Sequence, residues 1–181
     1  MNDLLTSFSP IVDREPTLLI LGSMPGVESL TQQRYYAHPR NAFWPIICSY
    51  FSLSETISYA QRCELLKQQR IALWDVLKNC RRTGSLDQHI EADSMIANDF
   101  VTLFTDYPSI SEVFFNGAKA AQLFNRYVHK SLNAVGVYIQ QTKLPSTSPA
   151  YAAMRFAQKQ QLWHQALAAH QHSNRTAVKS L

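Results

Sequence analysis

Residues 17–26 read TLLILGSMPG, and this stretch decides the fold. Thr17–Gly22 is an unbroken apolar run, the pattern of a strand covered on both faces, as in a parallel sheet. The glycines that follow let the backbone turn sharply and approach a ligand closely. Three further segments share the pattern less strongly: IALWDVL at 71–77, EVFFN at 112–116 and VGVYIQ at 135–140. Helical patterns separate them. One spans 42–51 with Asn41 as its cap, one 55–69 after Ser54, one 95–107 stopped by Pro108, and one 118–130 after Gly117. The last spans 149–170, with Ser148 as cap and Pro149 at the first helical position. Strands alternating with helices predict an α/β fold with a parallel sheet and helices on both faces. Ligands then bind beyond the carboxyl ends of the strands. Here those ends are GSMPG, Asp75, NGAK at 116–119 and PSTSPA at 145–150.

With 181 residues, of which 46% are hydrophobic and 17% charged, the chain suits one folded domain and not a disordered or coiled-coil segment. We expect a single domain over 1–181, with its core at about 10–170 and a flexible tail at 171–181. No run approaches the ~20 apolar residues of a membrane span, and the N-terminus lacks the pattern of a secretory signal. Three cysteines without a CxxC pair fit neither a disulfide framework nor a zinc site. The expectation is a reduced, cytoplasmic protein with no metal, no cofactor and no membrane partner.

The charge is divided unevenly. Residues 1–112 hold 9 Lys/Arg and all 13 acids, net −4, whereas residues 113–181 hold 8 Lys/Arg and no acid, net +8. An anionic partner explains this asymmetry; a solvated basic face is the alternative.

Three loops carry the candidate chemistry. GSMPG alone reads first as a simple turn, since neither a Walker loop nor GxGxxG is present. QQRYYAHPRNAFW at 32–44 crowds aromatics, Arg, His and Asn into thirteen residues. Phe43 and Trp44 are assigned to the core, and Tyr36 to stacking on a base. Asp75 interrupts an apolar strand, so it needs either a ligand or a salt bridge to Arg81 or Arg82. PSTSPA sets Ser146, Thr147 and Ser148 at an expected helix N-terminus, a ready site for phosphate.

These residues match a known pattern. LGSMPGVESLTQQRYYAHPRNAFW at 21–44 resembles the first motif of the uracil-DNA glycosylase superfamily, nearest to its hypoxanthine-DNA (DNA-deoxyinosine) glycosylase branch and related to the mismatch-specific uracil and thymine glycosylases. ALWDVLKNCRRTGSLD, VFFNGAKAAQLF and LPSTSPA resemble the later motifs in the same order. The resemblance implies a three-layer α/β/α sandwich with a central four-stranded parallel sheet. It also implies a monofunctional DNA repair glycosylase that flips a deaminated base out of DNA and hydrolyses its N-glycosidic bond. Hypoxanthine is the first expectation, uracil or xanthine the next; a catalytically inactive DNA-binding member of the same fold is the alternative. By the same resemblance, Asn41 orients the water, while Tyr36, Asp75, Gly22, Ser23 and Met24 contact the base. Ser146, Thr147 and Ser148 grip the DNA backbone, and the protein acts as a monomer. Two positions depart from the pattern. Met24 stands where many relatives carry the water-activating Asp or Asn, and Leu144 where several carry a His or Asn.

A carboxylate at Asp75 would accept the N1–H of hypoxanthine. Adenine has no proton at N1, and a polar mismatch of that kind discriminates strongly.

Overall fold

The computed structural model describes residues 4–179, with side chains as far as Arg175. Its centre is a parallel sheet of four strands: β2 (Leu18–Gly22), β3 (Ile71–Asp75), β6 (Glu112–Asn116) and β7 (Gln140–Leu144). They lie in the order β3-β2-β6-β7. Every residue of β2 and β3 is buried, as their apolar runs require. Three further strands, β1 (Leu4–Thr6), β4 (Leu77–Arg81) and β5 (Ile96–Ala97), form a small antiparallel sheet in the order β1-β4-β5.

Seven α-helices, α1 (Val27–Gln32), α2 (Phe43–Tyr50), α3 (Tyr59–Gln68), α4 (Phe100–Asp106), α5 (Ala118–Tyr127), α6 (His129–Ala134) and α7 (Phe156–Lys179), and two short 3-10 turns, Asp87–His89 and Ala92–Ser94, complete the described chain. Successive side chains of a strand point to opposite faces, and β6 shows which helices lie on each. Phe114 faces His170 of α7 with centroids 6.1 Å apart, while Phe115 meets Phe124 of α5 at 5.2 Å. On the first face Phe43 of α2 packs edge-on against Trp163 of α7; on the second, Phe100 of α4 packs against Phe124. The α/β expectation is met, with helices layered on both faces of the sheet.

Several expected element bounds are corrected. The fourth strand is Gln140–Leu144, not 135–140: at the sheet edge QQTKL need not be apolar, and Gly136, at φ +74°, ends α6. The helix expected at 55–69 begins at Tyr59, because Ser58 and Gln61 form a reciprocal capping box that Ser54 cannot match. The helix expected at 95–107 begins at Phe100, where Asp99 Oδ1 accepts the Thr102 N–H at 3.0 Å; the segment before it is drawn into β5. The helix expected at 118–130 is broken into α5 and α6. The last helix starts at Phe156 rather than Pro149. From 171 the chain expected as a tail continues α7 as far as Lys179, and Gln171 Oε1 accepts from Tyr50 Oη at 3.0 Å. Residues 180 and 181 lie outside the described residues.

A buried polar pin fastens α7 to the amino-terminal end of the sheet. His170 Nδ1 lies 2.8 Å from Glu112 Oε2, Thr142 Oγ1 donates to Glu112 Oε1 at 2.9 Å, and His170 Nε2 lies 3.1 Å from Thr17 Oγ1. Removing one partner of a buried pair leaves the other without compensation. Glu112→Ala is therefore expected to lower the unfolding free energy by about 3 kcal/mol, measurable by urea titration. A loss below about 1 kcal/mol, as for an exposed pair, would show that the pin contributes little.

Candidate functional site

Strand order reverses between β2 and β6, and a sheet of this kind opens a crevice at the carboxyl ends of the strands there. A cavity of about 390 Å³ occupies that place, within the ~300–1,000 Å³ typical of ligand sites. It is walled by the 22–26 loop, Tyr36, Asn41, Asp75, Asp87, Asn116 and the 146–150 loop. Every residue singled out in the sequence as a site candidate reaches this one cavity.

Gly22 ends β2 and pairs in register with Asp75 at the end of β3. Its lack of a side chain is what admits the neighbours. A Cβ there would overlap Asp75 Oδ1 and lie 3.1 Å from Tyr36 Oη. Asp75 is 3% exposed, and its Oδ2 has no hydrogen-bond partner. Neither Arg81 nor Arg82 pairs with it; Arg82 pairs with Asp87 instead. The salt-bridge alternative is thus replaced by a buried carboxyl facing a cavity. Burial, and then the charge of Asp87, push its pKa up to about 8 against the pull of Arg82, so the group is neutral at pH 7.

Tyr36 also lies with its hydroxyl buried and unpartnered. Its ring stacks on Phe43, 4.1 Å between centroids and 30° between planes. Its backbone is held at φ +55°, a left-handed conformation that a bulky residue adopts only when its surroundings enforce it. Burial raises the pKa of the phenol well above its usual range, so Tyr36 remains a neutral donor. Phe43 and Trp44 are buried, as assigned.

Asn41 lies half-buried on the cavity wall, with Oδ1 accepting the Phe43 N–H at 3.0 Å at the start of α2. Met24 is buried in the same wall, and Ser23 Oγ lies 2.8 and 2.7 Å from the two oxygens of Asp87, which share its one proton.

The 145–150 loop is not a helix N-terminus, because α7 starts six residues later. Its hydroxyls serve the loop itself. Ser146 Oγ accepts from Ser148 N, and Ser148 Oγ from Ala150 N, both at 3.2 Å. Thr147 is 1% exposed and clasped by Asn116: Asn116 Nδ2 donates to Thr147 Oγ1, and Thr147 N donates to Asn116 Oδ1, each at 2.8 Å. Ala42 N donates to Thr147 O at 3.0 Å. Ser146 and Ser148 are left half-buried on the cavity wall.

Two site residues escaped the sequence reading. Asn116 was visible only as part of a strand-end loop; it pairs in register with Leu144 and so brings an amide beside the position that lacks one. Asp87 lies in a turn-rich GSLD segment that nothing in local pattern distinguishes from solvent-exposed loop.

Comparison with known proteins agrees with this geometry. The sequence profile of the Uracil DNA glycosylase superfamily matches residues 9–169. The chain is 38% identical over 116 residues to the hypoxanthine DNA glycosylase of Methanosarcina barkeri, covering 64% of this chain and 72% of that one. Over the same length and shares it is 36% identical to the hypoxanthine DNA glycosylase of Methanosarcina acetivorans. Among solved structures, a solution NMR structure of a Methanosarcina acetivorans protein ascribed to the uracil DNA glycosylases superposes with a TM-score of 0.77. It is 30% identical, with 94% of this chain and all of that one covered.

Proposed function

Because the chain belongs to the uracil DNA glycosylase superfamily and is a DNA glycosylase, we propose that it releases hypoxanthine from DNA by receiving the flipped deoxyinosine in the cavity at the ends of β2, β3 and β6. The observation that carries this reading is the pair of buried, unpartnered polar atoms on the cavity floor, Asp75 Oδ2 and Tyr36 Oη. Buried polar groups without partners cost stability, and a ligand that satisfies them recovers that cost.

The amide edge of hypoxanthine presents one donor, N1–H, and one acceptor, O6. A neutral carboxyl presents the complement, accepting from N1–H and donating to O6. Below about pH 8 Asp75 is in that form. This revises the expectation of a fixed carboxylate acceptor, since a neutral acid can also turn its hydroxyl toward N1 of adenine. Discrimination against adenine then draws on the flipping step, which costs least for a mispaired base.

The other roles follow from position. Tyr36 stacks on or donates to the base, and the backbone of Gly22, Ser23 and Met24 lines its edge. Asn41 holds the water; its contribution is orientation, because an amide is no base. Ser146 and Ser148, with the basic residues of the carboxyl-terminal part, contact backbone phosphates, so binding weakens steeply with salt. Thr147 acts from beneath them through Asn116. The protein works as a monomer and leaves the sugar–phosphate strand uncut.

The test is single-turnover incubation with oligonucleotides carrying hypoxanthine, uracil or xanthine, followed by alkaline cleavage at abasic sites. Hypoxanthine release is expected, fastest of the three. Asn41→Ala is expected to slow it about 100-fold with duplex binding retained. Salt-sensitive binding without release of any base would instead identify an inactive DNA-binding member of the fold.

A further inference from the structure

Of the charged groups on the cavity wall, Asp87 is the one backed by a fully buried guanidinium, and no step of base recognition uses it. Asp87 opens a single turn of 3-10 helix, Asp87–His89, at the cavity wall. Its carboxylate is held by the Ser23 hydroxyl, whose one proton is shared between the two oxygens, and the guanidinium of fully buried Arg82 lies 3.8 Å from Oδ1. The side chain nevertheless stays 35% exposed.

We propose that Asp87 is a catalytic residue: the anion that faces the electron-poor sugar and takes a proton from the attacking water. This rests on the glycosylase reading of the cavity. An oxocarbenium-like sugar is stabilised by nearby negative charge, and its water needs a proton acceptor. The other wall groups are ill suited. The thioether of Met24 is not a base. Asn41 can orient the water, but its amide is no base. His38 Nδ1 accepts from Arg40 N at 3.1 Å, which places the ring proton on Nε2 and leaves no free acceptor. Glu28 has one oxygen bonded to Gln32 Nε2 along α1 and, among the described residues, no ion pair to hold its charge as Arg82 does for Asp87. Asp75 lies deeper and is neutral at pH 7.

Asp75 and Asp87 share the field of Arg82, and two neighbouring carboxyls do not ionise together easily. Asp87 has a hydroxyl donor and a guanidinium within 3.8 Å, and Asp75 Oδ2 has no hydrogen-bond partner, so the charge resides on Asp87. Burial pushes Asp87 above the usual carboxylate range, while the Ser23 hydroxyl, Arg82 and Lys119 of α5 draw it back. Tyr36, also within its field, stays neutral. In the reaction the C1′–N9 bond breaks with its electron pair leaving on the base. The water oxygen bonds to C1′, one water proton passes to Asp87 and then to solvent, and the departing base takes a proton from solvent.

The two carboxyls are thus required in opposite states, which predicts a bell-shaped rate profile. The test is single-turnover hypoxanthine release from about pH 5 to about pH 9 by the wild type, Asp87→Asn and Ser23→Ala, with duplex affinity and thermal unfolding measured alongside. Asp87→Asn is expected to lower the plateau about 100-fold, remove the acid limb and leave affinity within about threefold. Ser23→Ala removes a donor to the ionised form, so its acid limb moves to higher pH. A wild type that is active, with an Asp87→Asn rate within about threefold or an unchanged acid limb, overturns the proposal and leaves the glycosylase reading standing. If Asp87→Asn does not fold, the Ser23→Ala profile decides, and an unmoved acid limb overturns the proposal. No release by the wild type overturns both.

Discussion

Asp75→Asn is expected to raise the free energy of unfolding by about 4 kcal/mol at pH 7 while keeping hypoxanthine release within about tenfold of the wild type. The carboxyl titrates near pH 8 in the folded protein against 3.8 for a free aspartate. Below about pH 4 it is protonated in both states and the substitution changes little. As pH rises from about 4 to about 8 the unfolded chain gains the ionised form freely and the native chain cannot. The wild type therefore loses about 1.4 kcal/mol per pH unit across that window and no more above it. An asparagine has no charge to withhold. Urea unfolding of both proteins at several pH values measures the difference directly, and a difference independent of pH would show that Asp75 is ionised in the native state. Function is kept at neutral pH because an amide offers the same donor and acceptor as the protonated acid. The alkaline limb of the rate profile disappears with the titrating group. Natural sites often hold such destabilising groups where activity needs them.

Gly22→Ala is expected to slow base release about 1000-fold, beyond the ~100-fold cost of a single misplaced group. The added methyl would occupy the place of Asp75 Oδ1 and crowd Tyr36 Oη at 3.1 Å. Neither neighbour yields easily. Asp75 is short and fixed by the register of β3 on β2, and Val76 N donates to Gly22 O at 2.9 Å. The carboxyl must swing off the cavity floor, and the stacked Tyr36 ring must shift with it. Overpacking of this kind also costs about 1–3 kcal/mol. The double variant Gly22→Ala with Asp75→Gly tests the cause: making room should restore stability without restoring release, a coupling that a double-mutant cycle reads out. A Gly22→Ala enzyme within tenfold of the wild type would mean that the contact does not shape the site.

Much of the fold was readable because its central strands are simple. β2, β3 and β6 are covered by helices, and a short unbroken apolar run bounded by turn residues fits a strand buried on both faces. β7 was displaced because an edge strand is free to be polar, and the apolar VGVYI before it drew the assignment. The small sheet was missed because only Leu77 and Cys80 of β4 are buried, a spacing of three that lacks the period of a strand, and because β4 follows β3 after one residue. Pro149 looked like a helix start, yet the chain makes a looser excursion to Phe156 first. The site divided in the same way. Gly22, Tyr36, Asn41 and Asp75 stood in a long motif or violated an apolar pattern, so each was conspicuous. Asp87 and Asn116 became visible only when tertiary structure brought Arg82, Ser23 and Thr147 to them.

The peptide of Thr147 has the position of a keystone. Its N–H donates to Asn116 of the sheet on one side, and its carbonyl accepts from Ala42 of the loop bearing Asn41 on the other. A load applied to this loop is shared at once between the end of a central strand and the segment that carries Asn41. The two arms of the arch come from opposite sides of the charge divide, so neither the acidic nor the basic part of the chain can close it alone. A chain that is split in charge is, at this one residue, mechanically a single piece.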